Sequence, residues 1–209
     1  VVVGHAIPRH PAGALHESLP AVPIGRASGV GQLDANTVAK IAATPGVVSA
    51  LPIESISAKV AGDANDESFV TAVDTKRLVD YSDPDVINGS LPTTKAGVAV
   101  SKSIADAHHL HPGSSVVIAT SFGSVTRNVT GVYRREEIAG QAIGIPGAVA
   151  NVGSTPATRY VMVDTSGDVK TAQARLTAVA AASPSVKVFT ATGRVADLTR
   201  DHDTCPTLT

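Results

Sequence analysis

The sequence predicts an α+β chain folded as two lobes, one of them inserted into the other. Two observations support this fold class: a helix–turn–strand pattern that occurs twice, and a strand-rich stretch that separates the two copies. The chain has 209 residues, of which 43% are hydrophobic and 17% are charged. A chain of this length and composition can bury a hydrophobic core without disulfide bonds.

The first copy of the pattern is IAATPGVVSALPI, residues 41–53. Small helix-forming residues lead up to Pro45-Gly46, which ends the helix, and an apolar strand follows. We expect the helix to begin at the N-cap Asp34 and to bury Val38, Ile41 and Ala42. The strand candidate that precedes it is Val1–Val3.

The second copy is LTAVAAASPSVKVFTA, residues 176–191, in which Pro184 aligns with Pro45. Its helix is expected to begin near Asp168, after the strand candidate YVMVDTS at residues 160–166. Strand, helix, strand occurring twice is typical of a ferredoxin-like, double βαβ lobe. We therefore predict such a lobe from residues 1–60 and 157–196. The alternative is a chance match in a chain rich in Ala and Val.

The stretch between the copies, residues 61–156, predicts the inserted β-rich lobe. SFVTAVDT at 68–75 alternates like a strand, and GVAVSKSIADAHHL at 97–110 is typical of a strand followed by a short helix. Residues 116–133 predict a hairpin with its turn near Phe122-Gly123-Ser124. Beyond both lobes, residues 197–209 form a polar tail, which we expect to lead towards a membrane helix removed from this sequence.

Composition argues against several classes of function. The 17 Lys and Arg residues are balanced by 18 Asp and Glu residues, so no basic surface for nucleic acid is indicated. The single cysteine, Cys205, excludes a disulfide within the chain. The chain has no G-x-x-x-x-G-K-[ST] loop for phosphates and no G-x-S-x-G or S-x-x-K nucleophile motif. We therefore expect no cofactor and no catalytic residues, and we do not expect an enzyme.

The histidine-rich run HHLH raises the question of a metal site, because imidazole is a common metal ligand. Its members are His108, His109 and His111. Adjacent residues of a helix do not face one site, and a histidine near a helix C-terminus is favourable without any metal. The sequence therefore predicts no metal site, with these three histidines as low-ranking candidates.

The segment QAIGIPGAVANVGSTP, residues 141–156, is apolar, rich in Gly and Pro, and without charge. One interpretation is a buried strand that passes between the lobes. The other is an exposed contact for a protein partner or an apolar substrate. The residues that would make this contact are Ile143, Ile145, Pro146, Val149 and Val152.

A series of short motifs resembles a known family. In chain order they are Pro45-Gly46-Val47 with Leu51-Pro52, Val73-Asp74, Ile87-Asn88-Gly89, Gly97–Ser101, Pro112-Gly113 and Val129–Tyr133. In this order and spacing, the chain resembles the extracytoplasmic domain of MacB/FtsX-type ABC transporter permeases. It departs from that pattern at Ser114, where Asp is common, and at Ala72, where Gly often precedes Val-Asp.

The resemblance implies a function as well as a fold. The repeat-built lobe would correspond to the family's Porter lobe and the inserted lobe to its Sabre lobe. The chain would be a non-catalytic domain on the extracytoplasmic side of the cell membrane, which couples membrane-helix movement to transport or to an extracytoplasmic partner. Its implied partners are a cytoplasmic ATPase subunit or domain acting through the membrane part, an extracytoplasmic protein or apolar substrate, and a second permease copy. The alternative is a secreted two-lobed module that binds a ligand or a protein.

Overall fold

The computed structural model describes residues 2–5, 22–26, 33–62, 69–150, 152, 155–181 and 186–190. Its class is mixed α/β. The described strands are β1 Val2–His5, β2 Val22–Arg26, β3 Val47–Ser57, β4 Lys59–Val60, β5 Phe69–Ala72, β6 Val86–Gly89, β7 Gly97–Ser101, β8 Ser115–Thr120, β9 Gly123–Tyr133, β10 Ala142–Gly144, β11 Ala157–Thr165 and β12 Val186–Thr190. The described helices are α1 Ala35–Ala42, α2 Thr75–Tyr81, α3 Lys102–His108, α4 Glu136–Ala139 and α5 Val169–Ala181. Within these ranges, no helix combines the length and hydropathy needed to cross a bilayer.

The chain divides into two compact units. Unit 1 comprises Val1–Ala50 and Arg159–Thr209, and unit 2 comprises Leu51–Thr158. The first junction therefore lies inside β3, ten residues before the boundary that the sequence placed after residue 60. The reason is that the second half of β3 pairs antiparallel with β5 of unit 2, with Glu54 opposite Ala72.

The sheet strands of unit 1 follow the order β2, β12, β1, β11, β3. Strand β1 pairs in parallel with both β11 and β12. Since α5 connects β11 to β12, these elements form a βαβ crossover with β1 inserted between its two strands. Strand β2 pairs antiparallel with β12 at the edge, a position that tolerates its Pro23.

The double βαβ arrangement predicted for this lobe is not confirmed. The predicted first strand is present as β1, but β2 lies between it and α1 along the chain. In addition, β1 runs parallel to both of its neighbours. The sequence did not reveal β2 because Pro23 and Gly25 both weigh against a strand.

The core of unit 1 joins both of its helices to β11. Its fully buried members are Leu33, Ile41, Val161, Val163, Ala172 and Leu176. The Pro-Gly turn that ends α1 is held against the second half of the unit. The backbone N–H of Ser166 donates to the Gly46 carbonyl at 2.9 Å, and the Arg175 guanidinium donates to the Pro45 carbonyl at 3.1 Å. Gly46 has φ +96°, which favours glycine at the end of the helix.

Both long helices of unit 1 begin with the same cap, Asp-x-x-Thr. The Asp34 carboxylate accepts from the backbone N–H and the hydroxyl of Thr37, at 2.8 and 2.7 Å. The Asp168 carboxylate accepts from the same two groups of Thr171, at 2.8 and 2.6 Å. In each case the hydroxyl hydrogen bond is the main cause that lowers the pKa of the carboxyl below its ordinary value of 3.8.

These caps predict a loss of stability in acid. Because each carboxyl has a lower pKa in the folded state than its unfolded value near 3.8, its ionised form stabilises the fold. This contribution is fully present above pH 3.8 and is lost as the pH falls through the folded-state pKa. We expect Asp34→Asn with Asp168→Asn to keep stability near neutral pH, because Asn also caps helices, and to flatten the acid decline. Thermal unfolding from neutral pH to well below 3.8 measures both effects. If the stability of this double variant fell with pH as steeply as that of the parent, the two caps would not be the cause of the acid decline.

The strands of unit 2 follow the order β3, β5, β10, β7, β9, β8, β4, and β6 pairs with β9 beside this series. The pairs β5–β10 and β7–β9 are parallel. The pairs of β3 with β5, β10 with β7, β8 with β9, β4 with β8 and β6 with β9 are antiparallel. One core cluster joins these strands to α3, and it includes Ile56, Val70, Val98, Ile104, Val116, Ile118, Val129 and Val132.

Strands β6 and β9 approach each other closely at a pair of glycines, Gly89 and Gly131. A Cβ on Gly89 would lie 2.2 Å from the Thr130 carbonyl oxygen, and one on Gly131 would lie 2.5 Å from the Ser90 carbonyl oxygen. The backbone N–H of Ser90 donates to the Thr130 carbonyl at 2.9 Å, which fixes the crossing. In both cases the nearest atom belongs to the backbone, so no flexible side chain can move aside to make room for a Cβ.

We expect Gly131→Ala to lower the free energy of unfolding by about 1–3 kcal/mol, as overpacking does. The added methyl group meets the Ser90 backbone, so β6 must shift away from β9. Chemical denaturation measures the change. Thr126→Ala, at an exposed position of the same strand, is the matched control and should stay within about 0.5 kcal/mol of the parent. Equal free energies of unfolding for the two variants would show that β6 and β9 leave room for a side chain at residue 131.

Candidate partner-facing surface

Six of the thirteen described residues in the uncharged segment 141–156 are buried in unit 2. Ile143, at the centre of β10, lies opposite Thr71 of β5 and Ala99 of β7 and is fully buried. Val149 and Val152 are also fully buried and belong to the unit's core cluster. These three side chains therefore pack the interior and are not available as an exposed contact. The apolar pattern that suggested a contact comes from a short buried strand and the turn that follows it.

Two of the five proposed contact residues reach the surface. Ile145 is half-buried and Pro146 is exposed. They open a turn in which the N–H of Ala148 donates to the Ile145 carbonyl at 2.9 Å. The Arg127 guanidinium of β9 donates to the Ala148 carbonyl at 2.5 Å. The turn is thus attached to the β8–β9 hairpin.

The tip of this hairpin, Thr120–Gly123, presents an aromatic ring. Phe122 is 74% exposed, more than any other large hydrophobic residue among the described ones. Its N–H donates to the Thr120 hydroxyl at 3.1 Å, and that hydroxyl donates to the Val152 carbonyl at 2.5 Å. The ring is therefore presented from a backbone that is held in place. Exposed aromatic side chains, including phenylalanine, are enriched in protein interfaces.

The hairpin around Phe122 carries no charge from residue 112 to residue 126. Its outward face is small and mostly polar: Ser115, Val117, Ser124, Thr126 and Asn128 are exposed. The first charged side chain, Arg127, already donates to the carbonyls of Ala148 and Thr126. The sequence predicted this turn but did not single it out as a contact. The available signal was an aromatic residue at the turn of a long uncharged hairpin.

The three histidines do not converge. His108 is half-buried in the last turn of α3, and His109 follows as the C-cap in the left-handed conformation with φ +53°. His111 is exposed, and its ring Nδ1 lies 3.1 Å from the Pro112 carbonyl oxygen. Across the described part of the chain, no three His, Cys, Asp or Glu side chains are arranged to hold a metal ion. Cys205 and the predicted tail lie outside the described residues.

The serine and lysine residues at the start of α3 have structural roles. Ser101 is fully buried and caps the helix, since its hydroxyl accepts from the Ile104 N–H at 3.4 Å. The same hydroxyl lies 3.0 Å from that of Ser103. Lys102 forms an exposed ion pair with Asp106 one turn along the helix. Its ammonium group is therefore paired with the Asp106 carboxylate.

No family model matches the chain, and no curated protein sequence matches it. Solved structures do match. The periplasmic region of MacB from Actinobacillus actinomycetemcomitans is 14% identical, with a TM-score of 0.57, and the match covers 90% of this chain and 94% of that one. The extracellular domain of the ABC-type transporter YknZ from Gram-positive bacteria is 12% identical, with a TM-score of 0.54, covering 81% and 99%. A domain assigned to a permease protein from Porphyromonas gingivalis is 13% identical, with a TM-score of 0.51, covering 81% and 89%.

The resemblance stated from the sequence motifs is confirmed at the level of fold. One of these matched solved domains comes from an ABC-type transporter, one is assigned to a permease, and one comes from MacB itself. At 12–14% identity the likeness extends to the fold and not to individual residues.

Proposed function

We propose that this chain is the non-catalytic extracytoplasmic domain of an ABC transporter permease, located at the cell membrane. The supporting observation is a fold shared, over at least 81% of the chain, with the extracellular domain of an ABC-type transporter, the periplasmic region of MacB and a domain assigned to a permease. The absence of a phosphate-binding loop from the sequence agrees with ATP hydrolysis on a separate cytoplasmic subunit or domain. The domain itself would carry out no chemistry.

The role of such a domain would be mechanical coupling. Membrane helices attached to it change conformation when the ATPase binds and hydrolyses nucleotide. The domain transmits that change to a substrate or to an extracytoplasmic protein. Such transmission requires that the domain makes different contacts in the different states of the membrane part, because equal contacts shift no equilibrium. A second permease copy in the full transporter would supply one set of such contacts.

The surface that best fits a protein partner is the hairpin tip with Phe122. The tip carries an exposed aromatic ring and no charge, and the Thr120 hydrogen bonds hold its backbone, so an uncharged recess is the complementary surface. Phe122→Ser in the full-length transporter should impair partner-dependent activity and leave folding intact. Val79→Ser is the matched control, because Val79 is a 56% exposed apolar residue of α2. Equal effects of the two variants would refute this assignment.

Location can be tested in cells that express the full-length gene. With Cys205 changed to Ser, a single cysteine introduced at exposed Lys76 should react with a membrane-impermeant maleimide in intact cells. A cysteine in the cytoplasmic ATPase should react only after lysis. If the Lys76→Cys protein also needs lysis, the extracytoplasmic location is wrong. If the protein is recovered from the medium instead of the membrane, the secreted binding module is the correct reading.

Coupling can be tested separately from location. Replacing unit 2, Leu51–Thr158, by a short Gly/Ser linker in the membrane-inserted transporter should abolish transport or partner activation. Basal ATP hydrolysis by the cytoplasmic subunit should survive. Transport at the parent level in a correctly inserted deletion protein would refute the coupling role and leave the location unaffected.

The purified domain should show no esterase, peptidase or phosphatase activity that is lost on replacing one Ser or His.

A further inference from the structure

Asn88-Gly89, at the end of β6, is the only Asn-Gly pair in the chain. The Asn88 side chain is exposed, and Gly89 has φ +69°. Strand β6 pairs with β9 alone among the described strands, and the pairing register shifts between Val86 and Asn88. The side-chain amide thus lies on an irregular strand, directly before a residue without a Cβ.

We propose that Asn88 is a site of spontaneous deamidation. The backbone nitrogen of Gly89 attacks Cγ of Asn88, a bond forms between them, and the side-chain amide leaves as ammonia. Water then opens the five-membered imide at either carbonyl, giving an aspartyl or an iso-aspartyl residue. The reaction needs only water. Glycine favours it because no side chain hinders the attacking nitrogen.

The close approach of β6 and β9 at Gly89 and Gly131 gives the two products different effects on the strand pairing. An aspartyl residue keeps the backbone length and changes only an exposed side chain. An iso-aspartyl residue adds one carbon to the backbone directly before Gly89. There the clearance is small, since even a Cβ on Gly89 would lie 2.2 Å from the Thr130 carbonyl oxygen. The iso-aspartyl product should therefore weaken the pairing of β6 with β9, and the aspartyl product should preserve it.

Mass spectrometry of peptides from the purified chain, aged at mildly alkaline pH, tests the site. Asn128 is the internal control, because it is exposed on β9 and is followed by the buried, β-branched Val129. We expect amide loss at Asn88 at least about tenfold faster than at Asn128, since a β-branched neighbour hinders the attack. Equal rates, or an unchanged Asn88 when an unstructured peptide of the same sequence reacts, would overturn the proposal.

Hydrogen exchange of the aged protein tests the structural consequence. The iso-aspartyl fraction should lose backbone protection in β6, whereas a fresh Asn88→Asp variant should keep it. Asn88→Gln, which reacts poorly because its ring would be larger, should keep protection through the same ageing. Full protection in the iso-aspartyl fraction would show that the crossing accommodates the longer backbone. This inference does not depend on the proposed transporter function.

Discussion

Replacing Tyr133 with alanine is expected to lower the free energy of unfolding by about 3–5 kcal/mol, the range for deleting a large buried aromatic side chain. Tyr133 is fully buried at the end of β9, opposite Ser101 of β7 and Val86 of β6. Its hydroxyl donates to the Gly140 carbonyl at 2.5 Å. The alanine variant therefore leaves a cavity where three segments of unit 2 meet, and it removes a hydrogen bond.

Denaturant unfolding measures the effect, and Tyr133→Phe separates its two parts. The phenylalanine variant fills the space and loses only the hydrogen bond, so it should cost about 0.5–1.5 kcal/mol. Hydrogen exchange should show the loss of protection in β6, β7 and β9. A Tyr133→Ala protein as stable as Tyr133→Phe would mean that the neighbouring residues collapse into the cavity.

Leu176→Ala is expected to be the most damaging truncation in unit 1, at about 2–5 kcal/mol. Leu176 is fully buried on α5 and packs in the cluster that contains Ile41 of α1 and Val163 of β11. Its removal leaves a cavity between the two helices and the sheet. The matched control is Thr177→Ala at the next, exposed position, which should change stability by less than about 0.5 kcal/mol. A loss of protection confined to unit 2 in the Leu176→Ala protein would contradict this packing.

The helices of unit 1 were predictable because local signals agreed with one another. Asp34 precedes an apolar stripe that Pro45-Gly46 ends, and the structure confirms the cap and the burial of Ile41. The prediction was wrong for Ala42, which is exposed. The shared Asp-x-x-Thr cap is a local sequence signal that identifies both helix starts better than the proline alignment does.

Strand pairing was much less predictable, because it depends on residues far apart in the chain. Nothing local in Val22–Arg26 shows that it pairs with β12, and nothing in β3 shows that its two halves belong to different units. The uncharged segment 141–156 shows the same limit. Burial of Ile143 depends on β5 and β7, which lie on either side of it. The exposure of Phe122 likewise follows from its place at a turn and not from its hydrophobicity.

The division of the chain has a consequence for biosynthesis. Unit 2 is one uninterrupted stretch, whereas unit 1 is assembled from residues on both sides of it. Because chains emerge from the ribosome N-terminus first and compact regions fold as units, unit 2 can fold while the second part of unit 1 is still being made. Strand β1 must meanwhile wait for β11 and β12, which form both of its pairings. Strand β2 must wait as well, because it pairs with β12. Both strands thus stay unpaired while unit 2 folds, and factors that protect nascent chains would act on them during this interval.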